Sequence, residues 1–147
     1  MQQNKGMTLI VKKAAQLLSG LIALFGLYIM THGHLTPGGS FAGGTIIAGA
    51  LILIILAFGD DARHLRIIKE DSSKLENLAI LAFLLMATAA LLITPYVFFR
   101  NYLTTGPPGD LISAGIIPVY NVIVGIEVAA ALFTIFLAFV ILKEEDL

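Results

Sequence analysis

The 147-residue chain contains no cysteine and no tryptophan, and only 13% of its residues are charged. Without cysteine it cannot hold an iron–sulfur cluster or a cysteine-ligated zinc ion, form a disulfide or use a thiol nucleophile. Its net charge of −1 supplies no basic surface for a nucleic acid. Soluble domains are about 25% charged and 45–50% apolar, whereas 58% of this chain is hydrophobic. These values exclude an ordinary soluble domain and a disordered chain, and they predict one integral membrane domain over residues 1–147.

The charged residues leave three long gaps in the sequence. No Asp, Glu, Lys or Arg occurs in residues 14–59 or 78–99, and residues 111–142 contain one, Glu127. A helix needs roughly 20 mostly apolar residues to cross a hydrocarbon core about 30 Å thick, so the first gap fits two spans and the others one each. The sequence therefore predicts an all-α integral membrane protein with four transmembrane helices, over about residues 14–31, 41–59, 78–99 and 118–142.

Lysine and arginine are distributed unevenly between the two sides of this membrane domain. With four spans, both termini and the connector of residues 60–77 share one side, which holds eight of the nine basic residues, while the other side holds only Arg100. Because basic residues concentrate on the cytoplasmic side, both termini are predicted to be cytoplasmic, in a multi-pass protein of the cell membrane. The connector mixes both charge signs and is predicted to be a solvated link with a short surface helix over about residues 62–70.

A glycine- and proline-rich break separates the first two predicted helices. Six of the thirteen residues from 32 to 44 are Gly or Pro. Glycine allows positive φ and close backbone approach, and small residues on one stripe let membrane helices pack closely. Helix packing is therefore favoured over direct ligand coordination. The candidate packing residues are Gly33, Pro37, Gly38, Gly39, Phe41, Gly43 and Gly44.

Glu127 lies ten residues into the last span, about 15 Å deep by helical rise. An acidic group there costs roughly 2.5–3.5 kcal/mol on insertion scales, and such groups usually face a protein interior or a hydrated path. Thr134 shares its helix face. His32 and His34 lie at the predicted outer end of the first span, and histidine is a residue type that can exchange protons at the mouth of a pathway. These four residues are the ion-path candidates. The alternative is that Glu127 pairs with a neighbouring helix or subunit and that the histidines only cap the loop.

No catalytic, cofactor-binding or metal-binding residue is predicted. His32 and His34 lack a third ligand nearby, so they make a poor metal site. Proton and sodium pumps generally use several intramembrane ionisable residues in a relay, and this chain offers one carboxylate. The sequence therefore predicts an accessory subunit with no catalytic centre of its own. A purely structural assembly subunit and a small self-associating transporter remain as alternatives.

At the glycine break the chain resembles the MnhB/MrpB family of small membrane subunits of multisubunit Na+/H+ (Mrp-type) antiporters. The family motif G-H-x-x-P-G-G-G-F-x-G-G is matched from Gly33 to Gly44, except that Ser40 replaces the third glycine. A second region resembles the family pattern I-P-x-x-[DN]-x-x-V and adds Pro118 and Asn121 to the packing residues.

The resemblance implies an accessory subunit of an antiporter module that moves Na+ and H+, with other membrane subunits and the lipid bilayer as partners. It helps to form the ion-translocation region where subunits meet. The same module is used in the membrane arms of archaeal hydrogenase and sulfane-sulfur reductase complexes, and this remains the alternative parent complex. In either setting no nucleic acid is implied as a partner.

Overall fold

The computed structural model describes residues 6–59, 62–93 and 97–145. They form four α-helices: α1 (Leu9–Thr31), α2 (Gly39–Phe58), α3 (Ala62–Ile93) and α4 (Ile117–Glu145). Each helix is long and apolar enough to cross a membrane, and no strand occurs in the described ranges. The prediction of an all-α membrane protein with four spans is therefore confirmed. Residues 60–61 of the predicted connector and residues 94–96 of the predicted third span lie outside the described part.

Glycines mark both ends of α2, where the backbone adopts φ angles that glycine tolerates and other residues rarely adopt. Gly38 and Gly39, where α2 begins, have φ angles of 142° and 77°. Gly59 follows the last residue of α2 with φ 65°, and its N–H donates to the carbonyl oxygen of Ile55 at 2.9 Å. A residue with a side chain would be strained at these angles. The glycines therefore set the length of the second span to 20 residues.

Helix α3 differs from the predicted solvated connector. Residues 62–77 are helical and continuous with the third span, rather than a link with a separate short helix. The reason is that no Gly or Pro occurs between residues 62 and 93, and that Lys74 and Asp71 form an i,i+3 ion pair at 2.9 Å. A helix of 32 residues is about 48 Å long. Since the hydrocarbon core is about 30 Å thick, the charged first part of α3 extends beyond it.

The helices pack side by side in the order α1, α2, α4, α3. Helix α2 lies between α1 and α4, and α3 packs along α4, so α4 is the central helix for the candidate site. A buried cluster of Leu65, Phe133, Leu137 and Ile141 joins α3 to α4, and Ile52 and Ile55 of α2 pack against it. At this end the N–H of Met7 also donates to the carbonyl oxygen of Ala57 at 3.0 Å. Three helices are thus fixed to one another at the end that carries most of the basic residues.

Most of the outer surface of the bundle is apolar. Large exposed side chains include Leu24 (65% exposed), Leu92 (89%) and Phe139 (70%), and no more than 33% of any span's most apolar window is buried. Such a surface must be covered by lipid or by other membrane subunits, because its exposure to water is unfavourable.

We predict that a cysteine at position 105 reacts with an impermeant reagent from outside the cell, whereas one at position 71 does not. The reason is the asymmetry of basic residues, which predicts that the charged start of α3 is cytoplasmic. The chain has no cysteine of its own, so Thr105→Cys and Asp71→Cys need no altered background. Asp71 is 67% exposed. External labelling at position 71 would show that the orientation is inverted.

Candidate functional site

His32 is held at the end of α1 by local contacts. Its backbone N–H donates to the carbonyl oxygen of Tyr28 at 3.0 Å, and its Nδ1 lies 2.9 Å from the same oxygen and 3.1 Å from Oγ1 of Thr31. Its ring stacks on Tyr28 with centroids 4.2 Å apart. These contacts make His32 the cap of α1.

His34 lies in the same turn but in a different environment. The turn is closed by the N–H groups of Leu35 and Thr36, which donate to the carbonyl oxygen of His32 at 2.8 and 2.9 Å. Both ring nitrogens of His34 are buried and have no hydrogen-bond partner among the described residues. An unpaired buried polar group costs about 1–3 kcal/mol, so these nitrogens favour a partner from outside the described chain.

Gly43 brings α1 and α2 into backbone contact. A Cβ atom at Gly43 would lie 2.8 Å from the carbonyl oxygen of Gly26 and 2.8 Å from Cβ of Met30. In return, a Cβ atom at Gly26 would lie 2.9 Å from the carbonyl oxygen of Gly43. Real Cβ atoms do not come this close to backbone, so both positions require glycine at this helix separation.

Gly44 makes the equivalent contact with α4. A Cβ atom there would lie 2.9 Å from Cβ of Val128 and still nearer to the carbonyl oxygen of Gly125. A Cβ atom at Gly125 would collide with the side chain of Met30. Because consecutive helical residues differ in direction by about 100°, Gly43 and Gly44 face different helices. The pair of glycines therefore positions α2 between α1 and α4.

Asn121 connects the glycine break to α4. A Cβ atom at Gly33 would lie 3.0 Å from its Nδ2 atom, and that atom is buried without a hydrogen-bond partner in the described ranges. Pro118 is the second residue of α4, where its missing N–H costs nothing. The structure does not bring every motif residue into this contact, since Phe41 is 64% exposed and Pro37 is exposed.

Glu127 lies on the other side of α4, toward α3. It is half-buried and lines a cleft of about 250 Å³. The other lining residues are Ala79, Ile80 and Phe83 of α3 and Ile123 and Val124 of α4. No hydrogen bond or ion pair joins its carboxylate to another described residue. Thr134 lies two turns further along α4, and its buried Oγ1 has no partner within the described residues either. One carboxylate in an apolar cleft can bind a cation or a proton, or pair with a donor from another subunit.

Aromatic side chains from α3, α4 and the segment between them cluster beside this cleft, which Phe83 also lines. The centroid of the Phe83 ring lies 5.0 Å from that of Tyr120 and 5.4 Å from that of Phe99, with the ring planes inclined at 60° and 56°. Such edge-to-face contacts are favourable and rigid.

The four ion-path candidates do not form one cluster. Asn121 and Gly125 face the glycine break that carries the histidines, whereas Glu127 faces α3. Helix α4 therefore separates the histidines from the carboxylate. In the described part of the chain, no three His, Asp or Glu side chains come close enough to hold a metal ion. Sequence reasoning missed Gly26, Met30 and Gly125 as packing partners, because none of them lies in a glycine motif.

Known proteins resemble this chain over most of its length. A family model described as a domain related to the MnhB subunit of Na+/H+ antiporter matches residues 10–134. A Na(+)/H(+) antiporter subunit of Alkalihalophilus pseudofirmus is 29% identical over 145 residues, covering 90% of this chain and 95% of that protein. An uncharacterized protein of Methanocaldococcus jannaschii is 40% identical over 132 residues, covering 86% of this chain and 50% of that protein.

One similar solved structure is that of the membrane-bound sulfane sulfur reductase, an archaeal respiratory membrane complex. A chain in it superposes with a TM-score of 0.67 and 31% identity, covering 92% of this chain and 61% of that chain. The present chain thus spans half of the Methanocaldococcus relative and less than two thirds of the solved chain.

Proposed function

The chain belongs to the MnhB family, and from that premise we propose that it is an accessory membrane subunit of a multisubunit Na+/H+ antiporter module. In this role it contributes to the ion-translocation region where subunits meet, with Na+ and H+ as the transported ions. Its partners are the other membrane subunits of the complex and the surrounding lipid.

Glu127 is the observation that carries this proposal. Its carboxylate lies in the middle of a predicted span, half-buried in an apolar cleft, without a described partner. A charge at the bilayer centre costs roughly 2.5–3.5 kcal/mol on insertion scales, so it is retained where it contacts water, an ion or a polar group. A neighbouring subunit that covers the α3–α4 cleft supplies that environment.

The accessory role follows from the small number of ionisable residues within the predicted spans. A proton or sodium relay needs several exchange groups in sequence, whereas Glu127 is separated from both histidines by α4. The remaining groups of the relay must belong to other subunits. The exposed apolar surface of the bundle offers the area on which those subunits pack.

A second candidate is the same subunit within the membrane arm of an archaeal respiratory complex. The likeness to a chain of the sulfane sulfur reductase structure favours it, because 92% of this chain superposes on that chain. In that setting the subunit also contributes to ion movement, and the redox chemistry belongs to other subunits. A purely structural subunit is a further alternative, and variants of Glu127 distinguish it from a subunit of the ion path.

We expect the tagged chain to co-purify with unlike membrane subunits when the membrane is solubilised in a mild detergent. Mass spectrometry of the companions separates the candidates, because antiporter subunits support the first and hydrogenase or reductase subunits support the second. Recovery of the chain only as a homo-oligomer would contradict both and favour a self-associating transporter.

A further inference from the structure

The cleft beside Glu127 is apolar apart from the carboxylate itself. Its volume of about 250 Å³ is large enough for a small ion. The five other described residues that line it are alanine, valine, isoleucine and phenylalanine, whose side chains contain no oxygen or nitrogen. An ion that enters the cleft therefore meets one polar side-chain group of this chain, the carboxylate of Glu127.

The backbone around the cleft consists of uninterrupted helix. Residues 79–83 lie inside α3 and residues 123–127 inside α4, without a break in either segment. In such a helix each carbonyl oxygen accepts a hydrogen bond from the N–H group four residues further on. Sodium sites in membrane transporters typically use carbonyl oxygens of unwound segments and of half-helix ends. Neither feature occurs in these two segments, so the backbone offers no such ligands here.

Other polar side chains of the packed helices lie outside the cleft. On α4, Tyr120 and Thr134 are each seven residues from Glu127, which is about 10 Å along the helix. On α3, Glu76 is half-buried and one turn from Ala79, but it does not line the cleft. Helix α2, which also packs against α4, contains no titratable residue. Among the described residues, Glu127 is thus the one titratable group in the lining.

A sodium ion and a proton need different surroundings. A sodium ion needs several oxygen ligands to replace its hydration shell. Water molecules that could complete this shell are disfavoured in the cleft, because an ordered buried water needs roughly two to four polar partners. A proton needs only one oxygen, since it bonds to the carboxylate and removes a charge that is costly in apolar surroundings. The surroundings of Glu127 therefore favour a proton as its ligand.

We propose that Glu127 is a proton-binding site, which takes up and releases H+ without binding Na+, and that the sodium ligands of the complex belong to other subunits. This assignment rests on the proposed function, in which Glu127 contributes to the ion-translocation region. It goes further because it gives the carboxylate one of the two transported ions.

Carbodiimide labelling measures the protonation of Glu127 in membranes that contain the assembled complex. Dicyclohexylcarbodiimide dissolves in the bilayer and adds to a protonated carboxyl group, and the stable N-acylurea is detected by mass spectrometry of the peptide. We expect the labelling rate at Glu127 to fall as the pH rises, and to stay unchanged when Na+ replaces choline at constant pH and ionic strength. Glu127→Gln identifies the labelled position, because glutamine does not react.

Competition by Na+ would be visible in the same measurement. If Na+ binds the carboxylate, with or without oxygens from a neighbouring subunit, it displaces the proton. The labelling rate would then fall about tenfold at a Na+ concentration ten times the dissociation constant. Such a decrease would overturn the assignment, and so would a labelling rate that does not depend on pH.

Transport by Glu127→Asp provides a second measurement that does not depend on the reagent. Aspartate keeps a titrating carboxylate but moves it by one methylene group relative to the apolar walls. We expect a shifted pH profile of proton movement and an unchanged Na+ concentration for half-maximal activity. Glu76→Asp is the matched control, at a half-buried carboxylate outside the cleft, and should change neither quantity.

The outcomes separate this assignment from the proposed function. A changed half-maximal Na+ concentration in Glu127→Asp would overturn the assignment of the proton and leave Glu127 in the ion path. Normal transport by Glu127→Gln would instead contradict the role of Glu127 in ion passage, and the assignment with it.

Discussion

Gly43→Leu is expected to abolish most of the assembled protein. The added side chain would begin 2.8 Å from the backbone of α1 at Gly26 and from Cβ of Met30, and neither position can move without separating the two helices. Overpacking of a tight interface typically costs about 1–3 kcal/mol and more where backbone is in the way. The measurement is the yield of monodisperse protein or complex in mild detergent, normalised to the amount inserted in the membrane.

The same helix supplies the control for this substitution. Gly49 is exposed, and a Cβ atom there would meet no atom within 4 Å, so Gly49→Leu adds the same side chain to α2 without a clash. We expect it to assemble like the wild type, and Gly43→Ala to fall between the two leucine variants. A normal yield of Gly43→Leu would show that the α1–α2 contact is not required.

The number of helices was predictable because charge-free length alone determines how many spans fit in a bilayer. The break between α1 and α2 was predictable for a similar local reason, since consecutive glycines favour positive φ angles that a helix interior does not adopt, and α2 begins at Gly38 and Gly39. The continuity of α3 was missed because the mixed charges of residues 60–77 suggested a connector. Charge indicates solvent exposure but does not end a helix, and this stretch contains no helix-breaking residue after Gly59.

For the candidate site, the sequence could predict which residues share a face of one helix, but not which residues of other helices they contact. Helical spacing predicted Tyr120 and Thr134 on the face of Glu127, and Tyr120 contacts Phe83 of α3, which lines the cleft of Glu127. The same spacing placed Asn121 elsewhere, and it lies against Gly33. The partners of Gly43 and Gly44 could not be predicted, because Gly26 and Gly125 are distant in sequence and their contact depends on how three helices come together. The resemblance to the MnhB family is confirmed by the match over residues 10–134, but it assigns no contact to Glu127.

The two faces of α4 differ in their surroundings: one packs against α1 and α2, and the other carries Glu127. The face with Gly125 and Asn121 is fixed against α1 and α2, where an added Cβ atom has no room. The face with Glu127 borders a cleft of about 250 Å³ beside α3. Substitutions on the first face therefore change assembly, whereas an isosteric change at Glu127 leaves the packing of α4 intact. This separation allows transport and assembly to be tested independently.

Glu127→Gln is expected to leave assembly unchanged and to remove a large share of cation-coupled proton movement. Glutamine keeps the size, polarity and most of the hydrogen-bonding capacity of glutamate but does not titrate. Glu127→Asp keeps a titrating carboxylate on a shorter side chain and is expected to retain part of the activity. The measurement is sodium-dependent proton movement in membrane vesicles, normalised to assembled complex.

Two further variants distinguish an ion path from a structural role. Glu76→Gln makes the same chemical change on α3, at a half-buried residue that does not line the cleft, and we expect it to transport like the wild type. If Glu127 serves only to pair with a neighbouring subunit, then Glu127→Gln transports normally and Glu127→Leu weakens assembly, because leucine leaves the partner's polar group buried and unpaired. Full transport by the assembled Glu127→Gln complex would therefore exclude the carboxylate from the ion path.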